Sequence, residues 1–248
     1  MRKQNNAIVR LILDATENFQ LAADKDDLWA RFNRTLEFFA ITGSLYGAAA
    51  MPRSISSDML ILDSLPADYT QTKMDLDLFH TDLFVQAGLL GPSPVLWNDI
   101  PGSGNMSESE KRSLELDWDF QVTTGVTIPV RFAGGLGASA FGCHAAGMSW
   151  KEFDHLWLEV GDAITTIANA FDAALRRDHV GEIFSLNAEE RECLVWLAAG
   201  LRPKRIADRL RLSGKQVEKR LDKAREKLNA TTLPQAVANA LIFGLIDP

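Results

Sequence analysis

Between Gly200 and Asn229 the chain carries eleven Lys and Arg against four Asp and Glu, a local charge of +7 in a protein whose total is −7. Everything outside that window therefore sums to −14. A cationic face on an acidic body is the footprint of a site-specific binder of duplex DNA, because phosphates attract the face while the remaining surface resists indiscriminate association. The plainer reading is a solvated helix face. The order of the residues decides between the two.

Leu186, Leu194, Leu197 and Ala198 recur at helical spacing, and Gly200 stops that helix. A second helix opens at Pro203, where a missing N–H does no harm, and runs to Leu210 with Ile206, Ala207 and Leu210 inward. Arg211 and Leu212 turn the chain, Ser213 caps a third helix, and Val217, Leu221, Ala224 and Leu228 form its buried stripe. Two helices joined by a tight turn, the second long and basic, make a helix-turn-helix whose recognition helix suits the major groove. Lys215, Gln216 and Lys219 are the expected base contacts, with Gln216 suited to adenine. Arg202, Lys204, Arg220, Lys223 and Arg225 are the expected phosphate contacts. A fourth helix, Leu233 to Phe243, reads either as packing for the third or as part of a dimer contact.

The stretch from Leu186 to Ile246 resembles the DNA-binding domain of LuxR-type transcriptional regulators. The resemblance rests on Leu186, Glu190, Glu192, Leu194, Trp196, Gly200, Ile206, Ala207, Leu210, Ser213, Val217, Lys227, Leu228, Ala236, Ala240 and Gly244. It departs at Glu189, Arg205, Gln216 and Arg220, where the family usually has Arg, Glu, Thr and His. These departures bear on which operator is read more than on DNA binding itself.

A 248-residue chain with 46% hydrophobic and 24% charged residues suits one large or two modest folded domains. The amino-terminal stretch is an amphipathic helix broken by Arg10, Asp14 and Glu17, which is not the pattern of a signal peptide. No run of about eighteen apolar residues lacks a charge, so no spanning helix is expected. Cys143 and Cys193 stand far apart without metal-type spacing, which points to free thiols in a reducing cytoplasm.

Upstream of the basic module, helix and strand alternate. Helices are expected at about 5–20 and 26–39, strands at Ser44 to Ala50, Asp58 to Leu62, Gly125 to Arg131 and Gly137 to Cys143. Pro129 marks an edge or bulge. Ser149 and Glu152 form a capping box for a long helix that closes at Arg176 and Arg177. The expected fold class is α+β: an amino-terminal α-β-α sandwich with a central antiparallel sheet, then an all-α four-helix helix-turn-helix domain. The expected boundaries are residues 1–178 for a ligand and dimerisation domain, 179–185 for a linker and 186–248 for the DNA-binding domain.

A second resemblance, to the autoinducer-binding domain of quorum-sensing regulators, rests on the run LILDSLPADYTQTKMDLDLFHTDLF followed by Pro94, Trp97 and Gly125. In that family a Trp, a Tyr four residues later, an Asp and a second Trp surround an N-acyl homoserine lactone. The Asp, the second Trp and a strand glycine fall on Asp82, Trp97 and Gly125, while the first Trp and the Tyr fall on Tyr69 and Lys73. The resemblance implies that Asp82 accepts the ligand's amide N–H, Trp97 packs on the lactone and Tyr69 donates to its carbonyl. Lys73 is at odds with this, because an ammonium beside Asp82 would occupy the carboxylate that the amide needs. Phe141 falls on the acyl-chain wall and would shorten the pocket, and Leu65 stands where a Tyr is often found.

Enzyme readings are excluded by spacing. His80 and Asp82 point to different faces of a helix, His144 and His155 lack metal-ligand spacing, and Gly134, Gly135 and Gly137 form a turn rather than a phosphate loop. No cofactor or metal is expected. The expected partners are a double-stranded operator, a small-molecule signal, a second copy in a homodimer and, by the resemblance, RNA polymerase, with no membrane. Two alternatives stay open: a ligand-independent regulator whose Lys73–Asp82 pair and Phe141 fill the pocket, and an interaction protein that forms mixed dimers with a related regulator.

Overall fold

The computed structural model describes residues 2–50, 60–99 and 106–247. Asp58 and Met59, the start of the expected second strand, lie outside them. The chain divides into two compact units, Met1–Ala174 and Leu175–Pro248.

The first unit opens with α1 (Arg2–Gln20) and α2 (Lys25–Glu37), the latter capped by the Asp24 carboxylate on the Asp27 amide. There follow β1 (Gly43–Ala50), β2 (Leu60–Asp63), α3 (Tyr69–Asp75), α4 (Leu83–Leu90), the two-residue β3 (Val95–Leu96) and α5 (Glu108–Asp119). β4 (Gly125–Phe132), β5 (Gly137–His144) and α6 (Trp150–Ala174) complete it. The strands form one antiparallel sheet in the order β2-β1-β5-β4-β3. Pro129 sits on β4 opposite Ala140 of β5, beyond the short β3, which pairs only with Val126 and Thr127. Its missing N–H therefore costs no ladder bond to β3.

Side chains alternate across the strands, so the sheet has two interiors. On one face Tyr46 and Phe141 pack with Phe32 of α2 and Phe171 of α6, with ring centroids 4.6–5.7 Å apart. Asp172 of α6 is fully buried there and accepts hydrogen bonds from the Tyr46 hydroxyl at 2.8 Å and the Ser139 hydroxyl at 2.6 Å. The expected capping box of α6 is present, with the Ser149 amide and hydroxyl bonded to the Glu152 carboxylate. On the other face α4 lies directly on β4 and β5. Gly88 permits this, since a Cβ there would stand 2.6 Å from that of Ala140.

The second unit begins with a π-helical turn, Leu175–His179, and the short helix α7 (Val180–Phe184), so the stretch expected to act as a linker is helical over 180–184. Then come α8 (Ala188–Ala198), α9 (Pro203–Leu210), α10 (Gly214–Lys227) and α11 (Leu233–Ile242). α8 and α10 each start in a complete capping box, Asn187 with Glu190 and Ser213 with Gln216. Val217, Leu221, Ala224 and Leu228 are buried as the stripe requires, with Leu194, Ile206, Ala236 and Ala240 among the buried residues around them. Arg211 takes a left-handed conformation (φ 55°) between α9 and α10, which makes the tight turn of the motif.

Candidate functional site

Under α4 a largely apolar cavity of about 40 Å³ opens against the sheet, lined by Leu45, Leu65, Tyr69, Asp82, Trp97 and Thr127 among others. Trp97 is held on three sides. Its Nε1 donates to the Thr127 hydroxyl at 2.9 Å, and its ring stacks between Phe84, 4.8 Å away, and His144, 6.2 Å away. Gly125 makes room for it and for the neighbouring strand, since a Cβ at that position would stand 2.2 Å from the Cys143 carbonyl oxygen and 2.8 Å from the indole. The glycine serves the tryptophan rather than lining the cavity. Burial and a bond to the Thr124 carbonyl hold the His144 ring in place, and burial lowers its pKa, keeping the imidazole neutral.

Asp82 does not lie within a helix. It is the N-cap of α4, and its Oδ1 accepts the amides of Phe84 at 2.7 Å and Val85 at 3.0 Å. Its Oδ2 accepts the Lys73 ammonium. Lys73, fully buried on α3, also donates to Asp117 Oδ1 at 2.5 Å and to the Tyr69 hydroxyl at 2.8 Å. The Tyr69 hydroxyl in turn donates a hydrogen bond to Asp117 Oδ1 at 2.6 Å. All three ammonium protons thus have acceptors, and one cation faces two carboxylates in a dry core.

The titration of the cluster follows from that geometry. Burial works against the ammonium, but Asp82 and Asp117 together hold the Lys73 pKa above its ordinary value. Burial, and then the neighbouring Asp82, push the Asp117 carboxyl up to about 6. Burial and both carboxylates raise the Tyr69 phenol well above its usual value.

Of the residues expected at this site, Tyr69, Asp82 and Trp97 line the cavity together. Lys73 stands behind Tyr69 and Asp82 as their partner rather than in the wall. Phe141 is a correction. Strand alternation turns its ring to the opposite face of the sheet, against Phe32 and Phe171, and its neighbours Ala140 and Gly142 form the cavity floor. Asp117 was missed by the sequence reading. Its signal is Ser113 and Asp117 four apart on α5, both buried, a polar pair on the inner face of a helix near a lysine that needs counterions.

On α10, Lys215, Lys219 and Lys223 recur every four residues and are exposed, forming one cationic row. Arg202 and Lys204 at the start of α9 are exposed as well. Other cations of this region work inside the domain. Arg220 pairs with Glu189 of α8 at 2.7 Å, Arg225 lies 3.8 Å from Asp222 and bonds the Ala230 carbonyl, and Lys227 ties Glu190 to the Ser185 carbonyl. Arg209 lies over the Trp196 ring, 3.7 Å from its centroid. Gln216 is exposed, but its Oε1 accepts from the Ser213 amide at 2.8 Å and hydroxyl at 2.9 Å, which leaves the amide NH₂ for other partners.

The first unit is a sheet sandwich in which a helix-capping carboxylate lines an apolar cavity, and the second carries a helix-turn-helix. Residues 24–175 match the autoinducer binding domain, and residues 185–240 match the bacterial regulatory proteins of the luxR family. The chain belongs to the LuxR family of transcriptional regulators and is not an enzyme. It is similar to the transcriptional activator protein VanR of Vibrio anguillarum, with 26% identity over 97% of this chain and 98% of the relative. Among solved structures it resembles CepR2 of Burkholderia cenocepacia, described as an N-acylhomoserine lactone dependent LuxR family factor. That likeness has 14% identity and a TM-score of 0.55, covering 69% of this chain and 97% of that one. It also resembles SdiA in complex with octanoyl-rac-glycerol, at 15% identity and a TM-score of 0.57 over 96% of each chain. At these identities the structural likeness establishes the fold.

Proposed function

We propose that this regulator senses a small amphiphilic signal in the cavity under α4 and acts as a cytoplasmic homodimer, each α10 reading one half of a roughly two-fold operator. The observation that carries the reading is the convergence of Tyr69, Asp82 and Trp97 on one apolar cavity in a chain that also presents the Lys215, Lys219 and Lys223 row. Lys215, Lys219 and Gln216 meet base edges. Arg202, Lys204 and Lys223 meet phosphates, while Arg220 and Arg225 reach DNA only by exchanging their carboxylate partners for phosphate. RNA polymerase is the further partner of a regulator of this kind. The relatives bracket the ligand class: one is described as acyl homoserine lactone dependent and another holds an acyl glycerol.

A second reading, regulation without a signal, is favoured by the size of the cavity and by the occupied Asp82. About 40 Å³ accommodates a few waters, whereas drug-sized ligands fill roughly 300–1,000 Å³. Thermal unfolding across a series of acyl homoserine lactones and acyl glycerols separates the two, because a ligand that binds only the folded state must stabilise it. A saturable rise in Tm supports the sensory reading, and a flat response across both series removes these two ligand classes.

A further inference from the structure

Both Asp82 oxygens already have partners, two α4 amides on Oδ1 and Lys73 on Oδ2. Lys73 has no proton left, since its three go to Asp82, Asp117 Oδ1 and the Tyr69 hydroxyl. The carboxylate oxygen of the cluster that has no partner is Asp117 Oδ2, which is buried and accepts no hydrogen bond among the described residues. Asp117 is 1% exposed and lines a second cavity of about 110 Å³ with Leu114, Trp118 and Trp150. Phe84, Trp97 and Val122 border both this cavity and the one under α4. The two spaces are therefore neighbours across the stacked Phe84 and Trp97 rings.

We infer that Asp117 is a specificity-determining residue of the sensory site. It selects a ligand whose compact, ring-sized head carries a hydrogen-bond donor, a hydroxyl or an N–H, and disfavours a head that offers only carbonyl and ether oxygens. The inference rests on the sensory reading proposed above and deepens it. A buried acceptor left without a donor is costly, so a head that supplies one gains, whereas a lone pair facing a carboxylate loses. Charge points the same way, because Lys73 supplies one positive charge for two carboxylates and the cluster is short of positive potential on the Asp117 side. The apolar walls supply the rest of the affinity, and the size is close to that of the roughly 150 Å³ apolar cavity known to admit benzene.

The test uses the full-length protein and two fluorinated probes of matched shape, 4-fluorophenol and 4-fluorotoluene, followed by ¹⁹F NMR titration. Only the phenol donates. The expected result is binding of the phenol at least tenfold tighter than the toluene. The paired replacement Lys73→Met with Asp117→Leu, which removes one cation and one carboxylate and leaves the net charge of the cluster unchanged, is expected to bring the ratio to about one. Leu114→Phe fills the cavity without touching the charged cluster and is expected to abolish binding of both probes. Equal affinity of the two probes for the unmodified protein would overturn the inference, and so would no binding of either. If acyl homoserine lactones or acyl glycerols raise Tm while neither probe binds, the sensory reading stands and the role of Asp117 falls.

Discussion

The two functional regions handle charge in opposite ways. In the amino-terminal domain Lys73, Asp82 and Asp117 are all at most 4% exposed in their side chains and pair with one another in the core. On α10 the cations Lys215, Lys219 and Lys223 stand in water without a carboxylate partner among the described residues, and only flanking residues such as Arg220 are tethered. The buried cluster is expensive to break and specific in geometry. The exposed row is inexpensive to alter one residue at a time, and its strength lies in sum and in low salt.

The sharpest way to break this contrast is Lys73→Met. It leaves two carboxylates facing each other without their cation, and urea unfolding followed by tryptophan fluorescence should show a loss of about 3–5 kcal/mol. Adding Asp117→Leu removes one of those carboxylates but leaves Asp82 without its cation, so it should recover only part of that loss. If the single change costs less than about 1 kcal/mol, the cluster is wetter than its burial implies.

On the exposed side, replacing Lys215, Lys219 and Lys223 together by Ala should weaken operator binding roughly a hundred-fold near physiological salt and reduce the slope of log K against log salt by about 1, the share of Lys223. Fluorescence anisotropy across a salt series reads both. An unchanged slope would mean that Lys223 does not meet phosphate.

A smaller effect is pH-dependent. The folded Asp117 carboxyl keeps its proton up to about pH 6, whereas the unfolded one releases it near the ordinary 3.8. The folded state therefore binds more protons across that window, and stability should fall as pH rises through it. The Lys73→Met, Asp117→Leu pair should lose this component, which a comparison of denaturation midpoints between pH 4 and 7 checks. The smallest effect belongs to the surface. Arg220→Ala removes a pair with a carboxylate that is 63% exposed and should cost about 0.5 kcal/mol of stability.

The helix-turn-helix was legible almost residue by residue, because each part of it is local: Pro203 opens α9, Ser213 caps α10, and the four-residue rhythm of the buried stripe fixes which face is wet. The sheet was legible as strands, since their alternation is also local. α3, α4 and α5 were less so. Asp82 was placed within a helix, whereas it caps one, because its neighbours Leu78, Phe79 and Phe84 give no local sign of the break between the 3₁₀ turn at 79–81 and α4. Phe141 was assigned to the wrong interior. On a strand buried on both faces, parity is set by neighbouring strands rather than by a hydrophobic pattern, and β5 is buried at nearly every position. The Lys73–Asp82 pair was visible as a conflict in the sequence, but its resolution was not, because Asp117 arrives from 44 residues away in sequence.

The most direct test of the account is selection of bound sequences from random duplex DNA by the full-length protein. The account predicts enrichment of a two-fold symmetric site with half-sites about one helical turn apart, and its loss when Lys215, Lys219 and Lys223 are replaced. Enrichment of no symmetric site, or the same site recovered by the triple variant, would contradict it.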